Sequence, residues 1–260
     1  MLFKMEDKSV IIYFSATGNS KYVASKVAEA TKDFIKPITD ITDRITLQQG
    51  ESLGIVIPTY FYWVPSVVSD FLENTEIECE ENTYIYCIAT CGGTSGQASQ
   101  MVGKLLEKKG KRVNAYFDIV MPDNWTPMFD ANNTDEIAKV IKKEKPQIEK
   151  IVGHIQRKES GKFAKHTLPF VIAKLISLFY EPSRKTSHLH VENQCIGCGK
   201  CMSDCPVKAI EIQDGKPVWV KDKCTMCLGC LHKCPTFAIQ YGKNTKKHGQ
   251  YVHPEVNGGK

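Results

Sequence analysis

The sequence lacks a long hydrophobic run and any segment typical of a secretory leader. Its longest apolar stretch, residues 168–180, contains Lys174 and is shorter than the roughly 20 apolar residues that cross a bilayer. At the N-terminus, acidic and basic residues precede a short apolar run, and no small-residue cleavage site follows it. We therefore expect a cytoplasmic protein without a membrane span. In that reducing compartment, closely spaced cysteines are expected to bind metal rather than to form disulfides.

Cysteine is also scarce across most of the chain. Of the 11 cysteines in 260 residues, eight lie within residues 195–234, and the others are Cys79, Cys87 and Cys91. The seven histidines show no metal-binding spacing. A hydrophobic fraction of 42% excludes a disordered chain, and the net charge of +5 is too small to indicate a nucleic-acid partner. One region is therefore built around thiol chemistry, and the rest of the chain is not.

The first half of the sequence alternates strand-like and helix-like segments. Continuous apolar runs predict buried strands at residues 9–14, 53–57, 84–89 and 113–120, with a weaker edge strand at 35–38. Helical spacing of apolar residues predicts helices at 20–30, 65–72, 97–109 and 134–157. This alternation is typical of an α/β fold, in which helices cover both faces of a parallel sheet.

Three unusual loops follow the predicted strands, at the sheet edge where α/β proteins bind ligands. Loop 15–20 can surround a phosphate with backbone N–H groups and hydroxyls, and a simple N-cap turn is the alternative. Loop 58–65 holds four consecutive aromatic residues suited to stacking on a flat ring, although Phe61 is expected to cover the sheet edge. Loop 90–96 has three glycines that allow close approach of the backbone to a ligand. Together the loops predict a site for a phosphorylated flavin.

The candidate flavin-binding residues come from these three loops. They are Ser15, Ala16, Thr17, Gly18, Asn19, Ser20, Thr59, Tyr60, Tyr62, Trp63, Thr90, Cys91, Gly92 and Gly93. A further aromatic loop, residues 121–129, is expected at the same edge, where it could cover the flavin, meet the cysteine-rich segment or be purely structural.

Residues 8–155 resemble the flavodoxin family, most specifically in the strand–loop–helix of residues 11–26. The resemblance implies a five-stranded doubly wound sheet that binds FMN at the point where the strand order reverses. It places the FMN phosphate in loop 15–20 and the ring system between residues 59–63 and 90–93. The sequence departs from the family in its third loop, which lacks the aromatic and acidic residues that flavodoxins usually bring to the flavin.

The cysteine-rich segment is an internal duplication. The pattern C-x₂-C-x₂-C-x₃-C-P occurs twice, at an offset of 29 residues, with cysteines at Cys195, Cys198, Cys201, Cys205, Cys224, Cys227, Cys230 and Cys234. Three thiolates within seven residues can hold one corner of a cubane cluster, and the fourth ligand must come from further away. A zinc site is the alternative, but zinc sites normally use isolated C-x₂-C pairs.

Residues 188–242 resemble the bacterial two-cluster ferredoxins, in which the fourth cysteine of each run ligates the other cluster. The resemblance implies a small α+β domain with two [4Fe–4S] clusters. By the same resemblance, the ligands of cluster 1 are Cys195, Cys198, Cys201 and Cys234, and those of cluster 2 are Cys205, Cys224, Cys227 and Cys230.

These resemblances predict four segments in the chain. They are a flavodoxin-like FMN-binding domain at residues 1–157, a linker with an apolar helix at 158–187, a two-cluster ferredoxin domain at 188–242 and a C-terminal tail at 243–260. Because residues 168–180 are apolar nearly all round, we expect their helix to pack between the two domains, with membrane association as the alternative.

The fusion predicts an electron-transfer protein like those of anaerobic bacteria, which relays electrons between FMN and the clusters and onward to a redox partner protein. This role requires no catalytic residue. An FMN-dependent iron–sulfur reductase of a small substrate is the alternative, with Tyr60, Tyr62 and Cys91 as the weak candidates for a proton donor. A second alternative is a ferredoxin whose flavodoxin-like domain is degenerate and binds no flavin.

Overall fold

The computed structural model describes residues 9–257. The first eight residues, on which part of the expectation about a leader rests, and the last three lie outside the described residues. The strands are β1 (Val10–Tyr13), β2 (Phe34–Pro37), β3 (Arg44–Thr46), β4 (Ser52–Pro58), β5 (Glu76–Glu78), β6 (Tyr84–Cys91), β7 (Ala115–Val120), β8 (Gly161–Lys162), β9 (Leu189–Val191), β10 (Ile210–Gln213), β11 (Lys216–Trp219) and β12 (Ile239–Tyr241). The α-helices are α1 (Asn19–Thr31), α2 (Ser66–Asn74), α3 (Ala98–Glu107), α4 (Thr134–Ile141), α5 (Glu144–Gln156), α6 (Phe170–Ser177), α7 (Tyr180–Ser183), α8 (Lys200–Ser203), α9 (Gly229–His232), α10 (Thr245–His248) and α11 (Pro254–Asn257).

A parallel sheet with the strand order β2-β1-β4-β6-β7-β8 forms the centre of the first 162 residues. Its central strands β1, β4 and β6 are buried along almost their whole length because both faces of the sheet are covered. Along β1, Val10 and Ile12 belong to one core cluster, whereas Ile11 and Tyr13 belong to the cluster on the other face. The predicted α/β fold and doubly wound sheet are confirmed, and the strand order reverses between β1 and β4. The two-residue strand β8 adds a sixth strand that was not predicted.

The predicted helix over residues 134–157 is instead two helices, α4 and α5. Pro146 is the third residue of α5. A proline has no backbone N–H and its ring clashes with the preceding turn, so it is tolerated in the first turn of a helix but not in the interior. The apolar and charged pattern of this segment is continuous across the break, which is why periodicity alone predicted one helix.

The duplicated halves of residues 188–242 interleave. Strand β9 of the first half pairs antiparallel with β12 of the second, and β10 of the first half pairs with β11 of the second. Left-handed backbone conformations recur with the same 29-residue offset, at Gly197 and Met226, at Gly199 and Leu228, and at Lys208 and Phe237. The duplication in the sequence is therefore also a duplication of the backbone path.

The sequence predicts that the apolar helix α6 packs between the two domains. In the structure its large side chains are instead exposed. Ala173 is the buried residue of α6, while Val171 and Leu175 are exposed. At the end of this segment Tyr180 is buried, and its hydroxyl hydrogen-bonds to Ser66 of the sheet domain and to Thr225 of the cysteine-rich region. Among the described residues, no helix combines the length and apolar character needed to cross a membrane.

Candidate cofactor sites and the interface between them

Two cavities lie within the cysteine-rich region, and each is lined by four cysteines. The first cavity is lined by Cys205, Cys224, Cys227 and Cys230. The second is lined by Cys195, Cys198, Cys201 and Cys234. Each cavity therefore receives three thiols from one half of the repeat and one from the other, because the halves interleave. Four thiols around one cavity fit the thiolate ligand set of a cubane cluster.

Backbone N–H groups point at equivalent sulfur atoms in the two halves. Ala209 donates to the Cys205 sulfur and Ala238 donates to the Cys234 sulfur, both at 3.3 Å. Burial alone would raise the pKa of the Cys234 thiol, but hydrogen bonds from the Ala238 backbone and the Thr236 side chain lower it overall. Such bonds stabilise negative charge on sulfur, as a cluster ligand requires.

The first cavity is the more deeply buried of the two. Burial raises the pKa of the Cys227 thiol to about 12 and raises that of Cys230 well above its usual value. In the second cavity, by contrast, Cys198 is exposed to solvent. The thiol protons of the buried cavity must be released when iron binds, since the ligand is the thiolate.

The three candidate flavin loops meet where the strand order reverses. The Ser20 and Thr90 hydroxyls share a hydrogen bond of 2.9 Å, which joins the first loop to the third. The Thr59 backbone N–H donates to the Thr90 carbonyl at 2.9 Å, which joins the second loop to the third. The structure therefore brings together the residues that the sequence had placed at one sheet edge.

Two observations show that this edge fits FMN. The N-terminus of the 13-residue helix α1 has no side-chain cap, so its first N–H groups remain available to a phosphate. The buried hydroxyl of Thr59 has no hydrogen-bond partner among residues 9–257, which the structure describes. A buried polar atom without a partner is rare in proteins and is typical of a place where a ligand or water binds.

The aromatic loop forms a tight, strained turn. Backbone hydrogen bonds join Tyr60 and Trp63 in both directions, at 3.0 and 2.9 Å. The two residues between them, Phe61 and Tyr62, have φ angles of 50° and 59°. Non-glycine residues adopt this left-handed region at a cost of about 1–3 kcal/mol, and such strain is concentrated at functional sites. The close approach of Tyr62 to Gly96, where a β-carbon would lie 2.3 Å from the Tyr62 backbone oxygen, holds the turn in place.

The sequence predicts that Phe61 covers the sheet edge. In the structure its ring faces the cysteine-rich region instead. Its ring lies 5.1 Å from the ring of Trp125 and 5.6 Å from that of Tyr180. Trp125 belongs to the loop 121–129 and packs against the apolar core of the cysteine-rich region. This loop therefore meets that region, which was one of the roles the sequence left open.

An acidic residue near the third loop was missed in the sequence. A β-carbon at Gly92 would lie 2.9 Å from the β-carbon of Asp123, so Asp123 lies directly against the third loop. Burial raises the pKa of the Asp123 carboxyl, while hydrogen bonds from the Trp125 and Asn124 backbones oppose the shift. The carboxyl group that the third loop lacks is thus supplied by the next loop, through a contact that no local pattern indicates.

The buried cysteine cavity lies against the flavin loops. A β-carbon at Gly229 would lie 3.7 Å from the β-carbon of Ala16 in the phosphate loop. Cys227 packs against the core of the parallel sheet, beside Tyr60. Burial raises the pKa of the Tyr60 hydroxyl well above its usual value, and the neighbouring Cys227 adds to the shift.

Tyr180 fastens this contact. Its hydroxyl donates to the Thr225 carbonyl at 2.7 Å and accepts from the Ser66 backbone N–H at 3.3 Å. Ser66 begins α2 of the sheet domain, and its side chain also donates to the Thr225 hydroxyl at 3.2 Å. The buried triad of Tyr180, Ser66 and Thr225 therefore joins the linker, the sheet domain and the second cysteine run.

The C-terminal segment 249–257 forms a second set of hydrogen bonds that joins the two domains, which we call the second fastening. The Gln250 side chain donates to the carbonyls of Leu231, His232 and Cys234 at 2.7, 3.2 and 2.9 Å. The Tyr251 hydroxyl then donates to Asn19 at 2.7 Å, and the His253 backbone N–H donates to the Thr17 carbonyl at 2.8 Å. One short segment thus binds the second cysteine run and the phosphate loop together.

His232 connects the same elements from the side of α9. Burial lowers its pKa to about 4, and the hydrogen bond to Asn124 opposes the shift. The neutral ring donates from Nε2 to the Asn124 carbonyl at 2.9 Å and accepts the Tyr251 backbone N–H on Nδ1 at 3.1 Å. These partners assign the proton to Nε2.

The comparisons with known proteins agree with this architecture. Residues 10–150 match the family described as "Flavodoxin domain", and residues 188–235 match the family described as "4Fe-4S dicluster domain". No curated protein matches the chain.

Among solved structures, the chain is similar to a flavodoxin of Streptococcus pneumoniae TIGR4, with 13% identity, coverage of 58% of this chain and 98% of that one, and a TM-score of 0.38. It is also similar to a protein described as "flavone reductase", with 11% identity, coverage of 82% and 81%, and a TM-score of 0.35.

The two family matches define the cofactors. The chain carries FMN and two [4Fe–4S] clusters, and its role is in redox electron transfer. Because the first match spans more than half of its residues, the chain belongs to the flavodoxin-domain family, with a 4Fe-4S dicluster domain fused to it.

Proposed function

We propose that the chain relays electrons internally between FMN and the two clusters and passes them to a redox partner protein. FMN is held by the loops at residues 15–20, 59–63 and 90–93 of a domain that ends near residue 157. Cluster 1 is ligated by Cys195, Cys198, Cys201 and Cys234, and cluster 2 by Cys205, Cys224, Cys227 and Cys230. FMN exchanges electrons singly or in pairs, whereas each cluster exchanges one electron at a time. The fusion therefore couples two-electron transfer at the flavin to one-electron transfer at the clusters.

The contact between the second cysteine run and the phosphate loop carries this proposal. Gly229 lies against Ala16, and Cys227 lies beside Tyr60, within the same loops that are proposed to hold the flavin. Two separate fastenings, at Tyr180 and at Tyr251, hold this arrangement. A carrier that used its two domains independently would not require the flavin edge and a cluster cavity to be buried against each other.

The different burial of the two cavities indicates the order of the cofactors in the relay. The cavity of cluster 2 is lined by residues of the cysteine-rich region, and its Cys227 packs against the core of the parallel sheet. At the cavity of cluster 1, Cys198 is exposed and the neighbouring Ile196 side chain is 66% exposed. We infer that cluster 2 exchanges electrons with the flavin and that cluster 1 exchanges them with the partner.

The equivalent variants Cys198→Ser and Cys227→Ser test the relay, because each removes one ligand at the same position of the repeat. In the intact holoprotein, rapid reduction of the clusters should be followed by flavin reduction at a rate that does not depend on protein concentration. Cys198→Ser should keep this internal step and lose transfer to an external acceptor, whereas Cys227→Ser should lose the internal step. A rate proportional to protein concentration would overturn the proposal, as would equal rates in the two variants.

A further inference from the structure

The helix α6 presents its large apolar side chains to solvent. Ala173 is fully buried, whereas Val171, Leu175 and Leu178 are 67%, 58% and 59% exposed. These three residues are spaced by four and three positions and therefore lie along one side of the helix. We call them, with Ile172 and Phe179, the exposed apolar stripe. Surface helices of soluble domains normally turn their apolar side towards the core. Exposed apolar patches of this kind mark interaction sites.

The exposed apolar stripe is fixed in position at both of its ends. The Gln97 side chain donates to the Leu168 carbonyl at 2.6 Å, and the ring of Phe170 lies 5.7 Å from that of Trp63. At the other end, Tyr180 is buried in its triad with Ser66 and Thr225. The exposed apolar stripe is therefore held in a defined position by the rest of the fold.

The segment that carries the exposed apolar stripe is rich in basic residues. Between residues 161 and 187 the sequence has five lysines and arginines and one acidic residue, Glu181. Glu181 is itself paired with Arg184 at 2.7 Å and with Lys223 at 3.0 Å. The Lys104 ammonium lies 4.2 Å from the Phe170 ring centre, and the Lys174 ammonium lies 5.2 Å from that of Trp63. The apolar surface thus has a positively charged rim.

We propose that the exposed apolar stripe docks on an anionic lipid surface. A short helix with phenylalanine and leucine on one side and lysines around it is the chemistry that binds at a bilayer interface, where apolar side chains enter the acyl boundary and ammonium groups reach the headgroups. The eight residues of α6 are about 12 Å long, so the helix lies in the interface rather than across it.

A second copy of the chain is a poorer occupant of this surface. A two-fold dimer would place the same patch of each copy face to face, so each basic rim would meet its own equivalent. Lys165, Lys174 and Lys185 are all exposed, and none of them forms a salt bridge with a carboxylate among the described residues, so their mutual repulsion would oppose such a dimer. An anionic headgroup layer neutralises the same charges.

Vesicle co-sedimentation of the intact holoprotein tests this docking surface. The protein should bind vesicles of phosphatidylglycerol, should bind vesicles of phosphatidylcholine at least tenfold more weakly, and should be released from the former by salt. The double variant Leu175→Glu, Leu178→Glu should lose at least tenfold in partition onto the anionic vesicles. Lys174→Glu should weaken binding while leaving the apolar area of the stripe in place.

The matched control is Val218→Glu, which changes an exposed apolar residue on β11 of the dicluster domain. This variant should bind anionic vesicles as the parent does. The proposal is overturned if the parent does not bind anionic vesicles, or if the double variant and the control bind equally. It is also overturned if light scattering shows a dimer that the double variant abolishes, because the stripe would then be covered by a second copy.

Discussion

The Tyr251→Phe variant tests whether the C-terminal segment fastens the two domains. The Tyr251 hydroxyl donates to Asn19 at 2.7 Å, and both side chains are buried. Removing this hydroxyl deletes one hydrogen bond and leaves a buried amide oxygen without a partner, which costs about 2 kcal/mol. Because 1.4 kcal/mol is a tenfold change in an equilibrium constant, the segment should detach about 30 times more often.

Hydrogen exchange at the backbone of residues 250–257 measures this detachment directly. The reporting amides are those of Tyr251, bonded to the His232 ring at 3.1 Å, and His253, bonded to the Thr17 carbonyl at 2.8 Å. Both should exchange about 30-fold faster in Tyr251→Phe, if opening and closing are faster than exchange.

The matched control for this experiment is Tyr84→Phe. Tyr84 and Tyr251 are both 5% exposed, and the Tyr84 hydroxyl donates to the Glu159 carbonyl at 2.8 Å, within the sheet domain alone. The control should leave exchange in residues 250–257 unchanged. Unchanged exchange at His253 in Tyr251→Phe would refute the fastening, and equal acceleration in both variants would show that the effect is only a loss of global stability.

Three further predictions concern the cofactors. Anaerobically reconstituted protein should contain about eight iron and eight acid-labile sulfide, and zinc without sulfide would contradict the cluster assignment. Cys205→Ser should impair the cluster held by Cys224, Cys227 and Cys230, as followed by electron paramagnetic resonance; damage confined to the other cluster would refute the crossed ligation. Gly18→Ala should weaken FMN binding at least tenfold in a fluorescence titration, because its φ is +105° and a β-carbon would lie 2.9 Å from that of His253. Gly50→Ala should bind FMN normally, because φ is +86° there as well but an added β-carbon would meet no other described residue within 4 Å apart from its chain neighbours. Equal affinity of the parent for FMN and riboflavin would contradict the phosphate site.

The features that the sequence predicted well are those set by neighbouring residues. The continuous apolar run of β4 identified a strand buried on both faces. The cysteine spacing identified the two clusters because three of the four ligands of each cubane come from one short loop. The glycine and hydroxyl residues before α1 likewise follow from the local needs of a helix N-terminus. These rules act over a few residues and leave a readable pattern.

The features that the sequence did not predict depend on contacts between distant segments. Asp123 reaches Gly92 from the following loop, and Tyr251 reaches Asn19 from the other end of the chain. The apolar pattern of α6 predicts burial, because apolar side chains are usually covered by other parts of the same chain. Periodicity reports which side of a helix is apolar, but it does not report whether another part of the chain lies against that side.

The two halves of the dicluster domain have different residues at equivalent positions that make different contacts. At two positions with left-handed backbone, the first half has Gly197 and Gly199, while the second has Met226 and Leu228. A non-glycine residue in that conformation costs about 1–2 kcal/mol, which the first half avoids. In the second half, both side chains are only 4% exposed and line the cavity of cluster 2. Burial of each contributes about 2 kcal/mol, which offsets the strain only where there is a core to pack into. The half that contacts the flavodoxin domain therefore has buried apolar side chains at the two positions where the other half has glycines, and these side chains line the cavity of the cluster proposed to exchange electrons with the flavin.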